Sequence, residues 1–101
     1  MNEVERDNID RAKITLECEV RQGSRPWKVT RLEDISPKGF RISWFPNCRA
    51  ELPLRIQIPN LQMLTAHVRW QKDYAVGCQF TSPLHVAVFE HIVAQSRQSA
   101  A

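Results

Sequence analysis

Lys13-Ile14-Thr15-Leu16-Glu17-Cys18-Glu19-Val20-Arg21 is the stretch that decides the fold. Ile14, Leu16, Cys18 and Val20 fall on one face, and Lys13, Thr15, Glu17, Glu19 and Arg21 on the other. That two-residue period belongs to a strand with one side in a core and one in water. Gln22-Gly23-Ser24-Arg25 then supplies turn chemistry, and Trp27, Val29 and Arg31-Leu32 continue as a second strand, with Pro26 at its start. The alternation restarts in Phe40, Ile42 and Trp44, in Leu52, Leu54, Ile56 and Ile58, in Leu64, Ala66, Val68 and Trp70, and in Ala75 to Phe80. Turn-forming residues separate these runs at Asp34 to Gly39, Pro46-Asn47, Pro59-Asn60 and Lys72-Asp73. Six short strands at regular spacing predict a mainly β fold, a closed six-stranded antiparallel barrel whose closure removes exposed edges. Behind it, Ser82 reads as the N-cap and Pro83 as the first residue of a C-terminal α-helix, with Leu84, Val88, Phe89, Ile92 and Val93 on the face that packs against the barrel.

The chain has 101 residues, 43% apolar and 25% charged, which fits one domain. Residues 1–12 read as a flexible arm carrying arginines, 13–97 as barrel plus helix, and 98–101 as a frayed tail, the small polar composition extending back to Gln95. Charge is uneven: the first ten residues sum to −3, although the whole chain carries +3. No apolar run approaches the roughly 18 residues of a spanning helix, and the acidic N-terminus has no signal-peptide character, so membrane insertion is not expected and the expected compartment is the cytoplasm.

Three cysteines, Cys18, Cys48 and Cys78, stand 30 residues apart, which matches no zinc-ligand spacing and leaves an odd thiol if two were paired. Cys18 and Cys78 sit in register with core residues; Cys48, in a turn beside Arg49, is expected to be more exposed and to be reactive if Arg49 lowers its pKa. His67, His85 and His91 are scattered. No nucleophile, base and orienting group can be assembled, so the chain reads as a binding protein, not an enzyme, with no cofactor or metal.

The binding chemistry concentrates in Asp34-Ile35-Ser36-Pro37-Lys38-Gly39. These residue types suit ligand contact: Asp accepts hydrogen bonds, Ser donates or accepts, and Gly lets the backbone approach a ligand closely. The same residues also describe an ordinary tight turn in which Asp34 caps amides and Gly39 takes a positive φ. Arg6 and Arg11, on the segment before the first strand, add guanidinium forks suited to an anion.

The chain resembles the PilZ family over nearly its whole length. That family's pattern is an Arg-x-x-x-Arg arm before the first strand, then Asp/Asn-x-Ser-x-x-Gly, then an Ala-x-Val-x-Trp strand followed by Val-Gly-x-x-Phe. Here the pattern reads Arg11, Asp34-Ile35-Ser36-Pro37-Lys38-Gly39, Ala66-His67-Val68-Arg69-Trp70 and Val76-Gly77-Cys78-Gln79-Phe80. The resemblance implies a small barrel that binds the bacterial second messenger cyclic di-GMP through Arg6, Arg11, Asp34, Ser36 and Gly39. Lys38 and Arg41 are additional cations, and Trp70 is either a stacking face for guanine or a core residue. One departure stands out: the family's first arginine would fall at Asp7, and Arg6 stands one residue before it.

Three functions compete. The leading one is a cyclic di-GMP receptor acting in trans on an unidentified effector protein. The second is a divergent PilZ-like adaptor that has lost the nucleotide and recognises a protein directly. The third, a barrel for single-stranded nucleic acid using Trp27, Trp44 and Trp70 with Arg25, Arg41 and Arg69, is disfavoured by a net charge of only +3 and by tryptophans that alternate with the core.

Overall fold

A computed structural model describes residues 11–100. The elements are β1 (Ala12–Arg21), β2 (Lys28–Ile35), β3 (Gly39–Ile42), β4 (Leu54–Gln57), β5 (Leu64–Lys72), β6 (Ala75–Phe80) and α1 (Val86–Ala100). The strands close into an antiparallel barrel in the order β1-β2-β3-β6-β5-β4. The seam is β1 against β4, with Glu19 opposite Gln57 and Val20 opposite Ile56.

The core follows from the alternation. Leu16, Cys18 and Val20 of β1, Leu54 and Ile56 of β4, and Ala66, Val76 and Phe80 all point inward and are buried. Phe40 and Phe80 pack across the β3–β6 face with ring centroids 5.1 Å apart. Three turn residues that the sequence marked, Asn47, Asn60 and Asp73, take positive φ of 58°, 68° and 52°, which Asn and Asp tolerate better than most residues.

Four expectations need correction. The inward residues of β2 are Thr30, Leu32 and Ile35, and Val29 is exposed. β3 ends at Ile42, after which Trp44 turns outward, its N–H bonded to Thr30 Oγ1 at 3.2 Å, and Phe45 enters the core instead. Leu52 lies in the turn before β4 and is exposed. Trp70 is also exposed, for a reason that belongs to the site.

The helix begins later and ends later than its sequence signals. The Leu84 N–H is held by the Pro37 carbonyl at 2.7 Å, which ties that residue to the β2–β3 loop, and the N-cap is His85, whose Nδ1 accepts from the Ala87 N–H at 3.0 Å. At the other end α1 runs to Ala100 through the 98–100 stretch assigned to the tail, with Arg97 in its last turn favourable to the helix dipole. Ile92 anchors α1 in the core. Ser96 Oγ accepts from the Thr15 N–H at 3.1 Å and donates to the Thr15 carbonyl at 3.2 Å. This contact sits where the β1–β2 register shifts between Lys13 and Leu16, so a helix side chain completes the hydrogen bonding of an irregular strand.

Candidate functional site

One cross-strand row builds the site. Lys13 of β1 stands opposite Asp34 of β2, Asp34 opposite Arg41 of β3, Arg41 opposite Gly77 of β6, and Gly77 opposite Trp70 of β5. The next row, through Ile35, Phe40 and Cys78, is buried, so the first row faces outward. The resulting cleft of about 320 Å³ therefore runs along the barrel wall, lined by Arg11, the Asp34–Gly39 loop, Arg41, Arg69, Trp70 and Gly77.

Two bulges turn the candidate residues outward. Leu32 pairs with Ile42 but Asp34 with Arg41, so β2 carries one extra residue, and between the buried Leu32 and Ile35 both Glu33 and Asp34 face out. Val68 pairs with Cys78 but Trp70 with Gly77, so β5 also carries an extra residue, Arg69. Continued alternation would have sent Trp70 inward with Ala66 and Val68; the bulge places it beside Arg69 on the cleft. The indole lies across Gly77: a Cβ at that glycine would stand 2.1 Å from Trp70 Nε1, and only a hydrogen fits beneath the ring.

The loop is held from both sides. Ser36 Oγ accepts from the Lys38 and Gly39 N–H groups at 3.2 Å each, and the Ser36 N–H donates to the Gly39 carbonyl at 2.8 Å. The Lys38 carbonyl accepts from the Phe80 N–H at 2.8 Å, which complements the bond from Leu84 to Pro37. Gly39 is required by space and not by φ: a Cβ there would stand 2.2 Å from the Cys78 carbonyl oxygen. The turn reading that gave Gly39 a positive φ and Asp34 an amide-capping role is thus replaced. Asp34 Oδ2 accepts from Arg41 Nε at 2.6 Å, and Arg41 Nη1 also lies 3.6 Å from Glu33. Asp34 Oδ1 is buried with no hydrogen-bond partner among the described residues.

Chemically, the cleft offers cations at Arg11, Lys38, Arg41 and Arg69, a carboxylate oxygen able to accept, and an exposed aromatic face. The thiol of Cys78, a lining residue whose side chain belongs to the buried row, is pushed up to about 12 by burial and stays protonated. Cys48 is raised as well, burial outweighing the nearby Arg25 charge, while Arg49 pairs with Glu51 at 2.6 Å; the Arg49-activated thiol is not formed. The structure thus brings together Arg11, Asp34, Ser36, Lys38, Gly39, Arg41 and Trp70. Arg6 lies outside the described residues. Sequence reasoning missed Arg69 and Gly77 as cleft residues; the pairing of Gly77 with Trp70 was visible only as two separate motifs.

The PilZ domain family model matches residues 5–98. No curated protein is a match for the sequence. Among solved structures, the PilZ domain of CeSA from a cellulose-synthesizing bacterium superposes with a TM-score of 0.62 at 13% identity, covering 90% of this chain and 98% of that one. The Bacillus subtilis inhibitor of motility superposes with a TM-score of 0.55 at 12% identity, over 89% of this chain and 49% of that one. At these identities the structural likeness is one of fold, and the assignment rests on the family match together with the Asp34-to-Gly39 and Val76-to-Phe80 motifs: the chain belongs to the PilZ domain family.

Proposed function

We propose that this PilZ domain is a receptor for cyclic di-GMP that acts on a partner protein. PilZ domains form a family of binding and regulatory domains known for cyclic di-GMP binding and for protein-partner interaction. The observation that carries the reading is the coincidence, in one cleft, of the Arg11 guanidinium, an Asp34 Oδ1 without a partner among the described residues, and the exposed Trp70 ring. These match the three kinds of group a cyclic dinucleotide presents: phosphodiester charge, guanine N–H donors and flat base faces. The path to a partner runs through the loop, whose Pro37 carbonyl holds Leu84 just ahead of α1, so a ligand that shifts the loop acts on the start of the helix.

A second reading, a PilZ adaptor without nucleotide, draws on Asp7, which stands where the family pattern has arginine. Calorimetric titration with cyclic di-GMP at physiological salt, with GTP and GMP as controls, separates the two. A saturable, selective isotherm that disappears in Arg11→Ala supports the receptor. No heat at about 100 μM ligand from folded protein supports the adaptor.

A further inference from the structure

We infer that Arg69 is a phosphate-binding residue of the cleft, its guanidinium taking the phosphate of a nucleotide whose base lies on Trp70. This rests on the nucleotide reading above and adds a residue to it. Its basis is a contrast between two arginines on the same wall. Arg41 is engaged by Asp34 at 2.6 Å and faces Glu33 at 3.6 Å, so its charge is answered within the chain and it serves to position Asp34. The Arg69 side chain is exposed and has no ion pair or hydrogen bond among the described residues.

The β5 bulge explains why such a cation is there. It inserts Arg69 without a partner on β6 and turns Trp70 to the same side, so two consecutive side chains face one cleft. In an unbroken strand they would point to opposite faces. Their Cα atoms are about 3.8 Å apart, so a base stacked on the indole brings its own sugar-phosphate within the length of an arginine side chain. The indole lies flat on the wall over Gly77, where only a hydrogen fits beneath it. Arg69 on β5 and Arg11 immediately before β1 also stand at the two ends of the strand run β1-β2-β3-β6-β5, with Asp34 and Arg41 between them, so these two cations flank the cleft and the carboxylate lies inside it.

The test is calorimetric titration of cyclic di-GMP into wild type, Arg69→Ala, Arg69→Lys and Arg31→Ala, the last removing an equal charge from the wall outside this cleft. Arg69→Ala is expected to weaken binding about 10- to 100-fold, the effect of losing one charge-assisted contact, with partial recovery in Arg69→Lys and a change under about twofold in Arg31→Ala. Wild-type affinity in Arg69→Ala, or equal losses in Arg69→Ala and Arg31→Ala, overturns the assignment and leaves the receptor reading standing. If wild type itself gives no isotherm, the receptor reading fails. The Arg69 assignment is then decided by titrating inorganic pyrophosphate and following the Arg69 Nε–H resonance by NMR. A saturable shift supports phosphate binding at Arg69, and an unmoved resonance overturns it.

Discussion

The two ends of the β1–β2 hairpin treat buried polar side chains in opposite ways. At the turn end Gln22, 1% exposed, is fully satisfied: Nε2 donates to the carbonyls of Arg49 and Leu52, and Oε1 accepts from the Arg49 N–H and from Arg25 Nη2. At the open end Asp34 uses one oxygen on Arg41 and buries the other without a partner among the described residues. A closed set of hydrogen bonds organises a loop and asks nothing of a ligand. An open one, beside Arg11, Arg69 and Trp70, leaves an acceptor whose hydrogen bond the described residues do not supply. Stability and binding should therefore separate along a single hairpin.

The largest effect is expected at the closed end. Gln22→Ala orphans the Leu52 carbonyl and the Arg49 N–H and leaves the Arg49 carbonyl only its bond from the Leu52 N–H, and the loss of stability is about 3 kcal/mol, read from urea unfolding, with cyclic di-GMP affinity of the folded protein unchanged. Unchanged stability, or a loss of affinity, breaks the comparison. Next comes Gly77→Ala, where the new methyl must push the indole off the wall. Because Trp70 is a movable side chain at the surface, the cost is about 1–2 kcal/mol, and it should be accompanied by weaker ligand binding and altered tryptophan fluorescence. At the open end Asp34→Ala should cost under about 1 kcal/mol, since its Arg41 partner is partly exposed, yet it should abolish or strongly weaken ligand binding. A stability loss as large as that of Gln22→Ala would make Asp34 a structural residue.

What the sequence reveals divides along physical lines. The barrel was legible because a residue period of two, repeated between Asn- and Gly-marked turns, fits little else; Leu16, Cys18 and Val20 point where their spacing puts them. Arg11, Asp34, Ser36 and Gly39 were legible through loop composition and the family pattern. A bulge, by contrast, adds one residue with no compositional mark, so counting onward from Val68 assigned Trp70 to the same face as Ala66, and Arg69 was grouped with it only in the disfavoured nucleic-acid reading. The helix start was missed for a similar reason: the Pro37 carbonyl that holds Leu84 outside the helix lies 47 positions earlier in the chain. Gly39 was read as room for a ligand or as a positive-φ turn residue, whereas the structure shows it packed against the Cys78 carbonyl, a property of a strand pairing that only the folded chain possesses.

The smallest effect at neutral pH lies in the thiols, and it sharpens the contrast by following Cys78 at the cleft and Cys18 in mid-barrel. Burial raises both to about 12 from an ordinary 9.0, with Glu17 and Glu19 adding to the effect at Cys18. Both are neutral in the folded chain at neutral pH, so Cys78 adds no negative charge to the wall of the cleft. In the unfolded chain the same thiols ionise near 9.0, and ionisation then favours unfolding. The stability they confer is fully present below pH 9 and is lost as pH rises from about 9 toward 12. Urea midpoints measured across that range should fall, and fall less steeply in Cys78→Ala. At neutral pH a thiol reagent should reach the partly buried Cys48 first and the other two only on unfolding. Faster modification of Cys78 than of Cys48 in folded protein would mean that the cleft opens to its floor, and that the wall carrying Asp34, Arg41 and Trp70 is a moving part and not a fixed one.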